Sequence, residues 1–327
     1  MTYKICILPG DGIGKEVVPE AVRVLKKLPL DFKFFYAEAG YDCFQKTKTA
    51  LPDKTLSLVK KCDATLFGAV TTPPNIKNYK SVIVNLRKKL DLFVNLRPVK
   101  SYSRKKIDLV FIRENTEGLY SGIERYEDNK NTAITERIIT RSGCERLIKF
   151  AFEYAAKNNR KKITIVHKAN ILRKSCGMFR KTGMEISKKH KDIRFDEMLV
   201  DAMAMRLVKD PEHFDVIATT NFFGDILSDE ASALVGGLGM IPSANIGKKN
   251  AIFEPVHGSA PDIAGKKIAN PCAAILSAQM MLDFLGENRY ADMIDDAVKN
   301  ALKKNSTKDL GGNLSTKEFT DRVIGLM

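Results

Sequence analysis

An α/β fold with a largely parallel sheet is the class this sequence predicts, and three observations predict it. Short β-type apolar runs alternate with helix-period segments along almost the whole chain. Several of those runs end in polar loops, which is where parallel sheets place ligands, beyond the carboxyl ends of their strands. The length of 327 residues exceeds the roughly 250–300 at which a single core stops growing. Two domains, or one large fold with an inserted lobe, are therefore expected.

Taken in order, residues 4–8 read as a buried strand, followed by a glycine-rich turn and a helix over 16–27. A strand at 32–36 follows, then a helix over 52–61, a strand at 64–67 and a helix across 82–92. Later strands fall at 108–112, 162–167 and 215–219. Segment 118–140 differs, with two period-2 stretches around the polar tip Asp128-Asn129-Lys130-Asn131. That pattern predicts a hairpin arm rather than a βα unit. Helices over 271–285 and 292–304 close the chain.

Composition narrows the function classes. The chain is 44% hydrophobic and 28% charged, which excludes disorder as its main theme. No segment approaches about 18 consecutive apolar residues, so nothing reads as a membrane span, and the apolar run in MTYKICILPGDG is too short for a signal segment. The six cysteines are scattered without a C-x-x-C pair, fitting neither a disulfide framework nor a zinc site. Reduced thiols in a cytoplasm are expected. The excess of 54 Lys+Arg over 39 Asp+Glu gives a net charge of +15. It suits anionic metabolites, nucleic acid or a solvated lysine-rich surface. A basic nucleic-acid-binding protein is the rival reading, but no helix-turn-helix, RRM or finger signature accompanies clusters such as Arg160-Lys161-Lys162.

Four groups of residues bear on chemistry. Gly10-Asp11-Gly12-Ile13-Gly14 follows a strand and opens a helix, yet Lys15 stands where a dinucleotide fingerprint needs glycine, and Glu16 breaks the P-loop pattern. A tight strand–helix turn is the better reading. Asp225 and Asp229 are spaced i, i+4, so on a helix they share one face. Such oxygen donors suit Mg²⁺ or Mn²⁺, and equally an exposed acidic helix start. His167-Lys168-Ala169-Asn170 directly follows the run Ile163–Val166, and a lysine at the end of a strand in a low-dielectric cleft can serve as a base. A surface lysine has the same spacing. Arg87, Arg97 and Arg113 are forks suited to a polycarboxylate, or else three separate surface pairs.

These pieces occur together in one order, and the chain resembles the β-decarboxylating dehydrogenases, the isocitrate, 3-isopropylmalate, homoisocitrate and tartrate enzymes. The resemblance rests on LPGDGIGKEV (8–17), LRKKLDLFVNLRPV (86–99), IRENTEGLYSG (112–122) and VHKANIL (166–172). It continues through TTNFFGDILSDEAS (219–232), GGLGMIPSANIG (236–247) and FEPVHGSAPDIAGKKIANP (253–271). It implies two lobes around a shared mixed sheet and a cofactor site that is not a Rossmann domain. Residues 1–98 with 238–327 would form the large cofactor-binding lobe, and 99–237 the small lobe with the dimer arm 118–140.

The same resemblance assigns roles. Ser81, Arg87, Arg97, Arg113 and Asn170 would bind a malate-like substrate. Lys168 would accept the C2 hydroxyl proton as hydride passes to NAD, and Tyr120 would return a proton to C3 after CO₂ leaves. Asp225 and Asp229 would ligate Mg²⁺ or Mn²⁺ together with Asp201. Lys168 and Asp201 would reach the site from a neighbouring subunit, making a homodimer or a dimer of dimers. Glu254, His257, Gly258, Ser259, Ala260, Asp262, Ile263 and Asn270 would surround the cofactor. NAD is expected over NADP, because Asp262-Ile263 stands where NADP-using relatives carry Lys-Tyr, and a carboxylate repels a 2′-phosphate. Two departures are notable. Ser175-Cys176-Gly177 replaces the common Thr-Asp-Gly, and Lys248 stands where an acidic residue often follows SANIG.

Substrate choice should depend on the loop 71–84 and the helix holding Arg87. Lys80 lies seven residues before Arg87 on roughly the same helical face, with Ser81 beside it where isocitrate enzymes use a serine, and Ile83 where they place asparagine. The run from Asn78 to Val84 looks most like homoisocitrate enzymes. The order of expectation is homoisocitrate, then isocitrate, then 3-isopropylmalate, with neither nucleic acid nor membrane as a partner.

Overall fold

The computed structural model describes residues 1–73, 76, 79–102 and 106–327. Of the specificity loop, Pro74, Asn75, Lys77 and Asn78 lie outside the described residues. The chain forms two compact units. The first comprises Met1–Leu92 and Val235–Met327 with Tyr102, and the second Phe93–Ser101 and Lys106–Leu234.

The first unit opens with β1 (Thr2–Gly10), α1 (Gly14–Leu25), β2 (Asp31–Tyr36), α2 (Tyr41–Thr47), α3 (Asp53–Lys61), β3 (Ala64–Ala69) and α4 (Val82–Lys89). The second unit starts at β4 (Val94–Lys100), so the boundary precedes this strand rather than falling at Pro98 inside it. It continues with β5 (Asp108–Glu114), β6 (Glu124–Glu127), β7 (Thr132–Thr135), α5 (Arg141–Lys157), β8 (Lys162–His167), α6 (Ser175–Ser187), β9 (Arg194–Leu199), α7 (Val200–Lys209), β10 (Val216–Thr219) and α8 (Asn221–Ala233). The chain then returns to the first unit as β11 (Pro242–Ile246), β12 (Ala251–Pro255), α9 (Cys272–Phe284), α10 (Asn288–Lys304) and α11 (Thr316–Ile324).

In the first unit the strand order is β2-β1-β3-β12-β11, parallel throughout except for the antiparallel β11–β12 pair. Side chains alternate across a strand, so Cys6 and Leu8 face one side of β1 and Ile5 and Ile7 the other, and all four are fully buried. Cys6 and Leu8 pack with Val59, Phe67, Val82, Leu86 and Ile252 in one core, while α1 lies against β1 and β3 and α9 against β3, β11 and β12. A strand buried on both faces reads as a continuous apolar run, which is why Lys4–Leu8 was legible as sequence. The second unit repeats the plan with order β4-β5-β10-β8-β9, where only β4–β5 is antiparallel. The expected arm is present as the antiparallel β6–β7 pair.

The glycines of the first motif are required by close approach rather than by phosphate. Gly12 has φ +52°, and a Cβ there would lie 2.1 Å from the carbonyl oxygen of Ser259. The neighbouring Ile13 amide donates to that same oxygen at 2.9 Å. The turn after β1 is thus docked on the loop that carries His257 to Asp262. The helix expected over 82–92 ends at Lys89, because the chain leaves helical geometry and Asp91 takes φ +47°. All six cysteines are buried and free of disulfides. Among the described residues, no helix is long and apolar enough to cross a membrane.

Candidate active site

In the second unit, three of the expected residues meet on α8. Arg113, at the carboxyl end of β5, is 1% exposed and its guanidinium ion-pairs with Asp225 while Nε and Nη2 donate to Asn221 Oδ1 at 3.0 and 2.7 Å. Arg97, on the adjacent β4, donates to Ser228 Oγ at 2.7 Å, to Asp229 Oδ1 at 3.1 Å and to Asp225 Oδ1 at 3.3 Å. Its Nε is held by Asn95 Oδ1 at 2.5 Å. The Tyr120 hydroxyl donates to the other carboxylate oxygen of Asp225, and the Arg113 guanidinium carbon lies 5.3 Å from the Tyr120 ring centroid. Gly224 makes this seating possible. A Cβ at that position would lie 2.7 Å from Arg113 Cγ, so a larger residue would push α8 off the arginine.

The electrostatics follow from that crowding. Burial and the hydrogen bond to Asp225 push the Tyr120 phenol above its ordinary range, so it keeps its proton at neutral pH. Burial, with the charge of Asp225 one turn away, pushes the Asp229 carboxyl up, against the opposing pull of Arg97. Two carboxylates one turn apart offer hard oxygen donors, and a divalent cation would relieve their mutual repulsion. The donor set therefore fits Mg²⁺ or Mn²⁺, which take one or two carboxylates with water and substrate oxygens. Among the described residues, no group of three His, Cys, Asp or Glu side chains converges on one point.

Lys168 and Asp201 form a separate pair in this unit. Lys168 leaves the end of β8 and its amine is 2.5 Å from Asp201 Oδ1, in the first turn of α7. That hydrogen bond holds the Asp201 carboxyl below its ordinary range. Asp201 is thus not beside Asp225 and Asp229 within this unit. Asn170 is exposed two residues beyond Lys168.

The first unit holds the remaining candidates. Arg87 on α4 is 7% exposed, with Nε donating to Asn245 Oδ1 at 2.9 Å and Nη2 to Glu254 Oε1 at 3.3 Å. Ser81 is the half-buried N-cap of α4. Lys80 precedes that cap, so the helical spacing expected to align it with Arg87 does not apply. In the loop after β12, Ser259 Oγ lies 2.7 Å from Thr71 Oγ1, Ala260 takes φ +40°, and the amide of Ile263 returns to the Ala260 carbonyl at 3.1 Å. This tight turn leaves Gly258 and Asp262 exposed. Asn270 donates to Asp309 Oδ2 at 2.9 Å and caps the Cys272 amide at 2.9 Å. His257 Nε2 is shielded from solvent and has no hydrogen-bond partner. An orphaned ring nitrogen, with an exposed carboxylate on the same loop and a buried asparagine after it, fits a nucleoside with donor and acceptor edges.

The residues that sequence reasoning missed are the partners of the arginines. Asn95, Asn221, Ser228 and Asn245 orient the three guanidiniums, and Asn221 and Ser228 lie within the quoted 219–232 motif without having been singled out.

The isocitrate/isopropylmalate dehydrogenase family model matches residues 4–323. The chain belongs to this family. It is 54% identical to a homoisocitrate dehydrogenase of Methanocaldococcus jannaschii, over 98% of this chain and 96% of that one. It is 48% identical to a 3-isopropylmalate/3-methylmalate dehydrogenase of the same organism, over 98% of each. The crystal structure of isocitrate dehydrogenase from Methylococcus capsulatus superposes with a TM-score of 0.96 at 43% identity, covering 99% of both chains. As a member of the isocitrate/isopropylmalate dehydrogenase family, the chain is a decarboxylating dehydrogenase, and the family acts on small polycarboxylates.

Two histidines give this enzyme a pH signature. Burial lowers the pKa of both His167 and His257, so each binds fewer protons folded than unfolded. Their contribution to stability is present above the ordinary histidine value of about 6.5 and is lost as pH falls below it. Urea midpoints should rise between about pH 5.5 and about pH 7 and then level off, with a shallower rise in the H167N/H257N double variant. An equal slope in that variant would exclude the histidines as its source.

Proposed function

We propose that the chain catalyses NAD-dependent oxidative decarboxylation of homoisocitrate, with Mg²⁺ or Mn²⁺, as a homodimer with a shared active site. The observation that carries the reaction is the α8 cluster, in which Arg97, Arg113 and Tyr120 all engage aspartates suited to a metal. The bound metal would act as a Lewis acid towards the substrate's hydroxyl and carboxylate oxygens. Arg97 and Arg113, drawn from the aspartates, would then fork onto the substrate carboxylates, with Arg87 as a third. Lys168 would take the hydroxyl proton. Tyr120, still protonated at neutral pH, would supply the proton that C3 needs after CO₂ departs.

Sharing between subunits is supported by what each chain leaves uncovered. Met205 and Val208 on α7, and Phe222 and Ile226 on α8, are 39–61% exposed, and in the arm Ile123 is 44% and Tyr126 68% exposed. Exposed apolar residues on two neighbouring helices and an arm mark an association surface. Asp201 stands in the first turn of one of those helices with its side chain exposed, and in the shared site it would enter a partner's metal centre.

The substrate is supported by the 54% identity to a relative named for homoisocitrate, and Ser81 with the exposed Lys80 before it suits the third carboxylate that homoisocitrate and isocitrate share. A second reading, use of isocitrate as well, is favoured by a Thermus thermophilus relative named for both acids at 48% identity. Steady-state kinetics with homoisocitrate, isocitrate and 3-isopropylmalate test the choice. Homoisocitrate should give the highest kcat/KM, and a higher value for 3-isopropylmalate would overturn it. With NADP in place of NAD, kcat/KM should fall at least about tenfold, equivalent to ~1.4 kcal/mol. Equal values would show that Asp262 does not face the ribose.

A further inference from the structure

The main chain around Lys168 is held by side chains rather than by a regular ladder. His167, the last residue of β8, is 3% exposed, and its Nδ1 lies 3.2 Å from the amide nitrogen of Ala169. An amide nitrogen can only donate, so Nδ1 carries no proton and the neutral ring bears its hydrogen on Nε2. That nitrogen lies 3.3 Å from Glu197 Oε2 on β9. Glu197 is in turn clamped by Arg180 of α6, with Nε and Nη2 at 2.6 and 2.7 Å from its two oxygens. The Lys168 amide itself points at Cys176 Sγ, 3.3 Å away in the first turn of α6, a side chain with no solvent exposure. The Lys168 carbonyl accepts the amides of Ile171 and Leu172 at 3.1 and 2.8 Å.

Two consecutive amides, on either side of the Lys168 Cα–C bond, are thus each received by a buried side-chain acceptor. The lysine's flexible four-carbon stem begins from a backbone that those acceptors orient. A base works only within hydrogen-bond reach of the proton it takes, and a misplacement of about 1 Å can cost on the order of 100-fold. We propose that His167 and Cys176 are positioning residues, holding the Ala169 and Lys168 amides so that the Lys168 amine leaves β8 in the direction its reaction needs. The inference rests on Lys168 being the proton acceptor.

The thiol is informative because it departs from the pattern the resemblance predicts, which has aspartate at this place. A thiol accepts the amide without adding a negative charge beside the Lys168 main chain. The charged groups facing the His167 ring are Glu197 and Arg180, and burial opposes protonation of the ring. Once protonated, Nδ1 would confront the Ala169 N–H donor to donor, and the turn would lose that anchor.

The test uses the full enzyme with NAD, metal and its preferred acid from the substrate panel. His167→Phe, which fills the space without an acceptor, should lower kcat at least about tenfold with KM values within about twofold of wild type. His167→Asn, whose Oδ1 can stand where Nδ1 stands, should recover most of that loss and shift the acid limb of the kcat–pH profile. Cys176→Ala should lower kcat several-fold and speed hydrogen exchange at the Lys168 amide, so it carries the test if His167→Phe does not fold. Lys168→Met is the reference. If it is inactive while His167→Phe, or failing that Cys176→Ala, keeps kcat within about twofold of wild type, the positioning roles are overturned and Lys168 keeps its role. If Lys168→Met is fully active, the reading of Lys168 itself fails.

Discussion

Asp225→Asn is expected to lower kcat at least about 100-fold, or ~2.7 kcal/mol of transition-state stabilisation, and to weaken Mg²⁺ or Mn²⁺ binding measured by titration calorimetry. The side chain serves three cations in turn. Without metal, its Oδ1 compensates Arg113 and Arg97, whose side chains are 1% and 7% exposed, and its Oδ2 holds the Tyr120 hydroxyl. Removing one partner of a well-buried ion pair costs about 3–5 kcal/mol. The Asp225 side chain is 32% exposed and Asn keeps a carbonyl acceptor, so about 1–2 kcal/mol of lost stability is expected instead. The two effects separate experimentally. The stability loss should persist in EDTA, whereas the affinity loss is read only from metal titration. Full activity of this variant in EDTA would remove the metal from the proposed site.

The contrast between what was legible and what was not has a physical basis. The strands β1, β3, β8 and β10 have centres buried on both faces and appear in the sequence as largely apolar runs, so their places and the functional loops after them could be read directly. β9 could not. Its sequence RFDEML is partly exposed at the edge of the second unit's strands, and Glu197 turns inward to meet His167 and Arg180. A carboxylate whose partners lie 30 and 17 positions away carries no local period. β4 escaped for a related reason, since Arg97 occupies a buried position that pattern reasoning reserves for apolar residues. The candidate site shows the same division. Residue type and position singled out the three arginines and Lys168, the spacing of Asp225 and Asp229 placed both on one helical face, and the resemblance gave these residues roles and added Tyr120 and Asp201. What orients them was not visible. Asn221, Ser228 and Asn245 are ordinary residue types whose importance lies in hydrogen bonds to arginines more than 100 positions away, and composition and periodicity do not report such bonds. The tight packing of Gly224 on Arg113 likewise depends on two residues 111 positions apart meeting as α8 packs on β5.

Lys168→Met is expected to lower kcat about a thousandfold, within the range of about 10²–10⁴ that a positioned proton acceptor contributes. Methionine keeps the length and apolar stem of lysine and loses only the amine, so the fold should survive. The Asp201 carboxyl, freed of its hydrogen bond to the amine, should titrate at higher pH than in wild type. The shared-site proposal makes a sharper demand on this variant. Lys168 and Asp225 would enter one site from different subunits, so a mixed dimer of Lys168→Met and Asp225→Asn chains would gather both defects in one site and leave its other site intact. Refolding equal amounts of the two inactive variants together should therefore restore about a quarter of wild-type activity, since half of randomly formed dimers are mixed and each mixed dimer has one sound site. If each subunit instead carried its own complete site, every site would hold one defect and the mixture would stay inactive. A silent mixture, with mixed dimers verified by mass, would place Lys168 and Asp225 of the same chain in one site and end the shared-site reading.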